Sequence, residues 1–338
     1  MSYSEFHDEL RSVAADLLAK ETDWPLLIQA GWVGLDVPDE SGGAGATFAE
    51  VAIICEELGR AAAATAYLGG AVLATGALLA VPPTGLLSGV VDGTTRVAVA
   101  LSGDNAAAPF ELTTTRLGWR VHGRATFVPD AVGAQHVLLP AIDPDGVPVL
   151  VGVAAEAVGL SVDPQPVLDE TRQLATVTVD GVEVEDAAVL RYVGDPHTRR
   201  QALTERAALA VACDSLGVAQ AMLDTTVSYV GVRQQFGQPI GGFQAVKHAC
   251  ADMLVQISVA RQLVKAAVEA PGPTTIAMAK AHACDTAVEV TGKAMQLHGG
   301  IGYTWESGVH AYLKRAALNR SLYGSPGECR ELLAQRYR

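Results

Sequence analysis

Two stretches of this chain place phosphate-binding chemistry beside helix ends. Arg233-Gln234-Gln235-Phe236-Gly237-Gln238-Pro239-Ile240 begins with an arginine, a forked cation that grips phosphate oxygens in fixed geometry. Gln296-Leu297-His298-Gly299-Gly300-Ile301-Gly302 carries glycines whose missing Cβ lets a ligand approach the backbone closely. Each has a plainer alternative: Arg233 as a surface arginine closing a helix, the glycines as a tight turn between helices. The carboxylates with acid–base potential are Asp214 in an apolar helical run, Glu205 before it, and the adjacent pair Glu56-Glu57. A carboxylate buried among apolar side chains has a raised pKa and can take up a proton near neutral pH. Asp214 can equally be a structural acid hydrogen-bonded inside a bundle, and that is its favoured role. Glu56 and Glu57 are expected on a solvated helix face. His298 is expected as a packed loop residue, not a proton carrier.

These residues need elements to hold them. Over residues 1–92 the apolar spacing is helical: Phe6, Leu10, Val13 and Leu17 recur at three to four residues, and Val51, Ile54 and Leu58 repeat the pattern. Residues 34–45, rich in glycine around Pro38, read as a loop between helices. Over 93–195 the texture turns to β. Short Val-, Thr- and Leu-rich segments at 96–101, 119–121, 136–139, 147–153 and 175–179 are separated by turns such as Asp143-Pro144-Asp145-Gly146. With no helices between them, an antiparallel barrel or sandwich is expected. Over 196–338 the chain is helical again, at 205–230, 243–269, 273–293 and 307–322, a four-helix-type bundle. The expected class is therefore α+β multidomain, in the order helices, β domain, helix bundle.

Composition narrows the function. With 49% hydrophobic and 18% charged residues the chain has ample material for a large core. A net charge of −13 argues against a nucleic-acid surface, which needs clustered Lys and Arg. The five cysteines include no CxxC pair, and four lie in apolar helical surroundings, so buried free thiols in a reducing compartment are expected. No basic-then-apolar leader precedes the first helix, and no uninterrupted apolar stretch reaches membrane-spanning length. A cytoplasmic protein follows from this reading.

The domain order and three motifs resemble those of acyl-CoA dehydrogenases. Gly34-Leu35-Asp36-Val37-Pro38 followed by Glu56-Glu57-Leu58-Gly59-Arg60 looks like the family's N-terminal signature. Arg233-Gln234-Gln235-Phe236-Gly237 with Phe243-Gln244 resembles its R-x-x-F-G…Q motif, and Gln296 to Gly302 resembles its Q-x-x-G-G-x-G loop. The resemblance implies FAD as cofactor, an acyl-CoA substrate and an electron-accepting flavoprotein as partner. It implies that Arg233, Phe236, Gln244, Gln296, Gly299, Gly300 and Gly302 face the flavin of a neighbouring subunit. Arg233 would meet the pyrophosphate, Phe236 would pack on the adenosine part, and Gln244 and Gln296 would hydrogen-bond it.

The chain also departs from the family. Dehydrogenation needs a carboxylate to remove the α-proton while the flavin accepts a hydride. The commonest base position falls here on Tyr323, whose phenol has a reference pKa of about 10. An alternative family position falls on Ala207, followed by Ala208. Glu205 and Arg206 lie two residues before those, about 200° around a helix. In the β domain, Gly123-Arg124-Ala125-Thr126-Phe127-Val128-Pro129 stands where the family carries W-I-[ST] against the flavin ring, and Ala100-Leu101-Ser102-Gly103-Asp104 replaces a longer loop. The ring half of the site is thus degraded and the dinucleotide half intact. With Gly324-Ser325-Pro326 in the C-terminal region, the chain resembles the shorter subunit of heteromeric actinobacterial enzymes that act on bulky or steroid-derived CoA thioesters. An α2β2 tetramer with a longer, glutamate-bearing homologue and fewer flavins than chains is expected. The alternatives are a homomeric dehydrogenase with a displaced base at Asp214 or Glu205, a flavin-dependent monooxygenase, or a scaffold without chemistry.

Overall fold

The computed structural model describes residues 3–20, 22–104, 110–116 and 118–335. Three helices open the chain: α1 (Tyr3–Leu18), α2 (Trp24–Gln29) and α3 (Phe48–Arg60). A π-helical segment, Tyr67–Leu73, leads into α4 (Ala74–Leu79), and α5 (Gly85–Val91) follows. Eight strands come next: β1 (Val97–Val99), β2 (Phe110–Thr115), β3 (Gly118–Pro129), β4 (His136–Ile142), β5 (Pro148–Ala154), β6 (Leu160–Gln165), β7 (Leu174–Val184) and β8 (Val189–Arg191). Then α6 (Pro196–Val232) leads into a two-residue-strand hairpin of β9 (Gln234–Gln235) and β10 (Gln238–Pro239). The chain ends with α7 (Gln244–Glu269), α8 (Pro273–His298), α9 (Val309–Ser321) and α10 (Pro326–Gln335). Two compact units result: a helical unit of residues 1–21, 52–63 and 208–338, and a sheet unit of 22–51 and 64–207.

In the sheet unit the strands form one sheet in the order β6-β7-β3-β2-β4-β5-β8, with β1 on β4. The expected antiparallel arrangement is corrected here to a mixed one. The first half of β4 runs parallel to β1 and its second half parallel to β2, while every other pair in the sheet is antiparallel. Alternation along a strand reports burial, not the direction of its neighbour, so the sequence pattern is silent on this point. β2, β6 and β8 escaped the sequence reading; β6 alternates polar residues and is exposed or half-buried throughout. Phe110, Val121, Val137, Leu139, Val151 and Val177 build the core of this unit. The pairing of β3 with β7 slips between Ala125 and Val128, a bulge that leaves Phe127 at φ +53°.

In the helical unit α3 and α6 cross at a pair of glycines. A Cβ on Gly217 would stand 1.8 Å from the carbonyl oxygen of Glu56, and one on Gly59 would stand 2.0 Å from that of Asp214. Only glycine allows the two backbones this approach. α6 is long and apolar enough to span a membrane by length and composition, though Asp214 interrupts its apolar run, and 89% of its apolar window is buried inside the protein. Cys55, Cys213, Cys284 and Cys329 are buried and Cys250 is half-buried, and none of the five is in a disulfide, as expected.

The sequence reading also missed α10. It packs Cys329 and Leu333 against Ala277 and Ala281 of α8. Asp285 of α8 ties both following helices, accepting hydrogen bonds from Arg320 of α9 and Arg330 of α10. Partial burial works against the Asp285 carboxylate, yet the two guanidiniums hold its pKa below the ordinary value. A lowered folded pKa means that this tie is intact above the usual aspartate pKa of about 3.9 and is lost as pH falls through the lowered value. Asp285→Asn is therefore expected to cost about 0.5–1 kcal/mol at pH 7, since both arginines are largely exposed, and progressively less as the pH is lowered below the usual aspartate range. Denaturation midpoints across that pH range check this.

Candidate functional site

The arginine motif stands at the end of α6. Its peptide continues the helix by one hydrogen bond, from the Arg233 N–H to the Tyr229 carbonyl at 2.9 Å, and closes the hairpin by another, from the Ile240 N–H to the Arg233 carbonyl at 2.8 Å. Gln235 pairs with Gln238, so Phe236 and Gly237 form the two-residue turn, at φ +52° and +79°. Positive φ at both central residues is the hairpin turn that suits strand twist; glycine takes it freely, but phenylalanine does so under strain. The Phe236 ring is 91% exposed and meets Phe243 edge-on at 6.1 Å. Arg233, Gln235 and Gln244 are exposed as well.

The glycine motif stands at the end of α8. Gln296, Gly299 and Gly300 are exposed, and a Cβ on either glycine would meet nothing within 4 Å. Gly302 differs: it is buried, and its Cβ would stand 2.8 Å from the Met295 carbonyl oxygen. The turn therefore curls back over the helix end while its outer backbone stays open. Tyr303 and Trp305 follow, 72% and 70% exposed. The helical unit thus offers a guanidinium, open backbone at two glycines, amide side chains and aromatic rings, the donor set that a nucleotide pyrophosphate requires. The dinucleotide half of FAD fits these residues.

The ring half does not fit the sheet unit's Thr126–Pro129 segment. Thr126 N–H donates to Ser102 Oγ at 3.1 Å and Phe127 N–H donates to Gln165 Oε1 at 2.8 Å. Ser102 and Thr126 hydroxyls both donate to the Asp104 carboxylate. Pro129 has no N–H to give. The chain's own side chains have taken up the donors of the bulge.

The candidate carboxylates are all engaged. Asp214, 4% exposed, accepts from Arg315 Nε at 3.0 Å and Nη2 at 2.5 Å and from Asn319 Nδ2 at 2.6 Å. It is the structural acid, and its partners Arg315 and Asn319 went unnoticed in sequence. Their i, i+4 spacing on α9 was the available signal. Glu56 and Glu57 are not on a solvated face as expected. They are 7% and 3% exposed; Arg11 bridges them at 2.9 and 3.0 Å, and Arg261 holds Glu56 at 2.6 Å. Burial pushes the Glu57 carboxyl up, against the hydrogen bond from Arg11. Glu205 is half-buried and accepts from Gln201 at 2.7 Å; burial raises its pKa. Arg206 is turned to Asp36 at 2.6 Å and to the Val72 carbonyl at 2.7 Å. Ala207 and Ala208 are buried.

Tyr323 lies in the turn between α9 and α10, 2% exposed, at φ +52°, with Gly324 at φ +102°. The turn is held by Lys280 of α8. Fully buried, its ammonium donates to the Asn319 carbonyl at 3.0 Å and the Gly324 carbonyl at 2.8 Å. His298 is a packed residue, as expected, stacked on Tyr229.

Helices, then a mixed eight-stranded sheet, then a bundle of long helices make up an α+β architecture. The chain belongs to the acyl-CoA dehydrogenase family: residues 4–81 match the sequence model "Acyl-CoA dehydrogenase, N-terminal domain" and residues 198–337 match "Acyl-CoA dehydrogenase, C-terminal domain". It is 34% identical over 310 residues to the acyl-CoA dehydrogenase IpdE2 of Mycolicibacterium smegmatis, a match covering 90% of this chain and 84% of that protein. Among solved structures it is similar to a variant of the "Tcur3481-Tcur3483 steroid ACAD", with a TM-score of 0.87, 28% identity and 99% of each chain covered. It is also similar to the ChsE4-ChsE5 complex from Mycobacterium tuberculosis, with a TM-score of 0.86, 25% identity, and 100% of this chain and 97% of that one covered.

Proposed function

We propose that this chain is the base-lacking subunit of a heteromeric, FAD-dependent acyl-CoA dehydrogenase that introduces an α,β double bond into a bulky, steroid-derived CoA thioester. The observation that carries this reading is Tyr323: the residue at the family's base position is a buried phenol, and the buried carboxylate on α6, Asp214, is held by Arg315 and Asn319. FAD, when bound, supplies the hydride acceptor. In this reading the flavin ring rests on the β domain of a longer, glutamate-bearing homologue. Its dinucleotide end lies on this chain's helical unit. Arg233 neutralises phosphate charge, Gly299 and Gly300 offer open backbone, Gln244 and Gln296 hydrogen-bond the adenosine part, and Phe236 covers it. Electrons pass on to an electron-accepting flavoprotein. The likeness to the steroid ACAD and to the ChsE4-ChsE5 complex supports both the substrate class and the mixed assembly.

Native mass spectrometry with flavin quantitation on the complex isolated through a tag on this chain tests the proposal. Two kinds of chain in an α2β2 tetramer with two flavins are expected; a homotetramer with one FAD on every chain would overturn it. Arg233→Ala should remove one or two charge-assisted hydrogen bonds, roughly 1.5–3 kcal/mol each, from flavin retention. Unchanged flavin occupancy after dialysis of that variant would remove Arg233 from the site. One observation favours a second reading. The half-buried Glu205, its pKa raised by burial, suits a general base in a self-sufficient homomer. Glu205→Gln separates the two, since only the homomer loses turnover.

A further inference from the structure

The two nucleotide-facing motifs are far apart in sequence, yet a pyrophosphate bridging them needs a fixed spacing between them. Tyr229 and His298 make a direct tie between them in the helical unit. Tyr229 lies one helical turn before Arg233 and receives its N–H. His298 is the last residue of α8, immediately before Gly299. Their rings stack with centroids 4.4 Å apart and planes 18° from parallel. The Tyr229 hydroxyl donates to the His298 carbonyl at 3.3 Å. His298 is itself fixed: Nδ1 lies 2.8 Å from the Ala294 carbonyl, which can only accept, so Nδ1 carries the proton. On its other side Gly302 folds against it, and a Cβ there would come within 3.0 Å of His298 Cβ. His298 is 6% exposed, packed between the glycine turn and the helix that carries the arginine hairpin.

We infer that Tyr229 and His298 are positioning residues for the dinucleotide end of the flavin, acting through Arg233 and the Gly299–Gly302 turn and not by touching the cofactor. This rests on the reading of those two motifs as a flavin surface. The stack sets the separation and tilt of the two motifs before ligand arrives, so binding spends little on ordering them. Tyr229 serves twice, its carbonyl fixing the Arg233 peptide and its ring and hydroxyl fixing the base of the glycine turn.

FAD release from the complex, isolated through a tag on this chain and followed by flavin fluorescence on dilution, tests the inference. Tyr229→Leu and His298→Ala should each release FAD about five- to tenfold faster, and the double variant no faster than the singles, because each removes the same tie. Tyr229→Phe and His298→Phe keep the stack and should retain most of the wild-type rate. Arg233→Ala is the control for the underlying reading. If it releases FAD faster while Tyr229→Leu and His298→Ala behave as wild type, the positioning role is wrong and the flavin surface stands. If Arg233→Ala is also unchanged, or the complex carries no FAD, the surface assignment falls and this inference with it. Release that accelerates only in step with a lowered melting temperature, equally in the Phe variants, reduces the pair to ordinary packing and overturns the inference.

Discussion

Replacing Arg315 by alanine is expected to cost the helical unit about 3–5 kcal/mol, a large part of the ~5–15 kcal/mol by which domains of ordinary stability fold. Arg315 is 1% exposed and spans between Asp214 and the Ala63 carbonyl, to which Nη1 donates at 2.9 Å. Removing it leaves the Asp214 carboxylate buried beside Asn319 without its guanidinium, and an uncompensated charge in that setting is the costly state. Asp214→Asn strands the guanidinium instead and should cost a similar amount. Changing both together, Asp214→Leu with Arg315→Met, should recover much of the loss, because an apolar pair of similar volume avoids desolvating two charges. Denaturation midpoints of wild type and these three variants, followed by circular dichroism, check the ranking. An Arg315→Ala protein as stable as wild type would mean that the pair is not held as described.

The second large effect is on catalysis. The isolated chain should turn over steroid-derived acyl-CoA thioesters at least 10²–10⁴-fold more slowly than the isolated complex, roughly what a positioned general base contributes. Steady-state assays with a ferrocenium-type acceptor measure it. Tyr323→Glu should not rescue the isolated chain, because the Thr126 and Phe127 amides that a flavin ring would need are already bonded to Ser102 and Gln165. Full activity of the isolated chain, indifferent to Asp214→Asn and Glu205→Gln, would mean that the base lies elsewhere in this chain.

The major helices and most of the sheet were legible because apolar periodicity over ten or more residues reports a buried face directly. α1, α3, α6, α7, α8 and α9 all fall where that pattern placed them. What escaped was set by partners distant in sequence. Glu56 and Glu57 read as a solvated pair because nothing local reveals that Arg11 and Arg261 converge on them. The parallel pairing of β4 with β1 and β2 is likewise a fact of topology, invisible in any one strand. At the candidate site the glycines and Arg233 were visible as residue types, whereas the tie between them depends on Tyr229 and His298, 69 residues apart. A tyrosine in an apolar helix and a histidine before a glycine carry no local mark of each other.

The grip of Lys280 on the turn around Tyr323 bears on how such a chain comes to exist. Its ammonium holds the carbonyls of Asn319 and Gly324, backbone groups that every residue possesses. The shape of the turn is therefore insulated from the identity of the residue it presents. In the heteromer proposed above, Lys280 lets a carboxylate give way to a phenol at position 323 in one subunit while the turn keeps its backbone, so the base is lost without the fold.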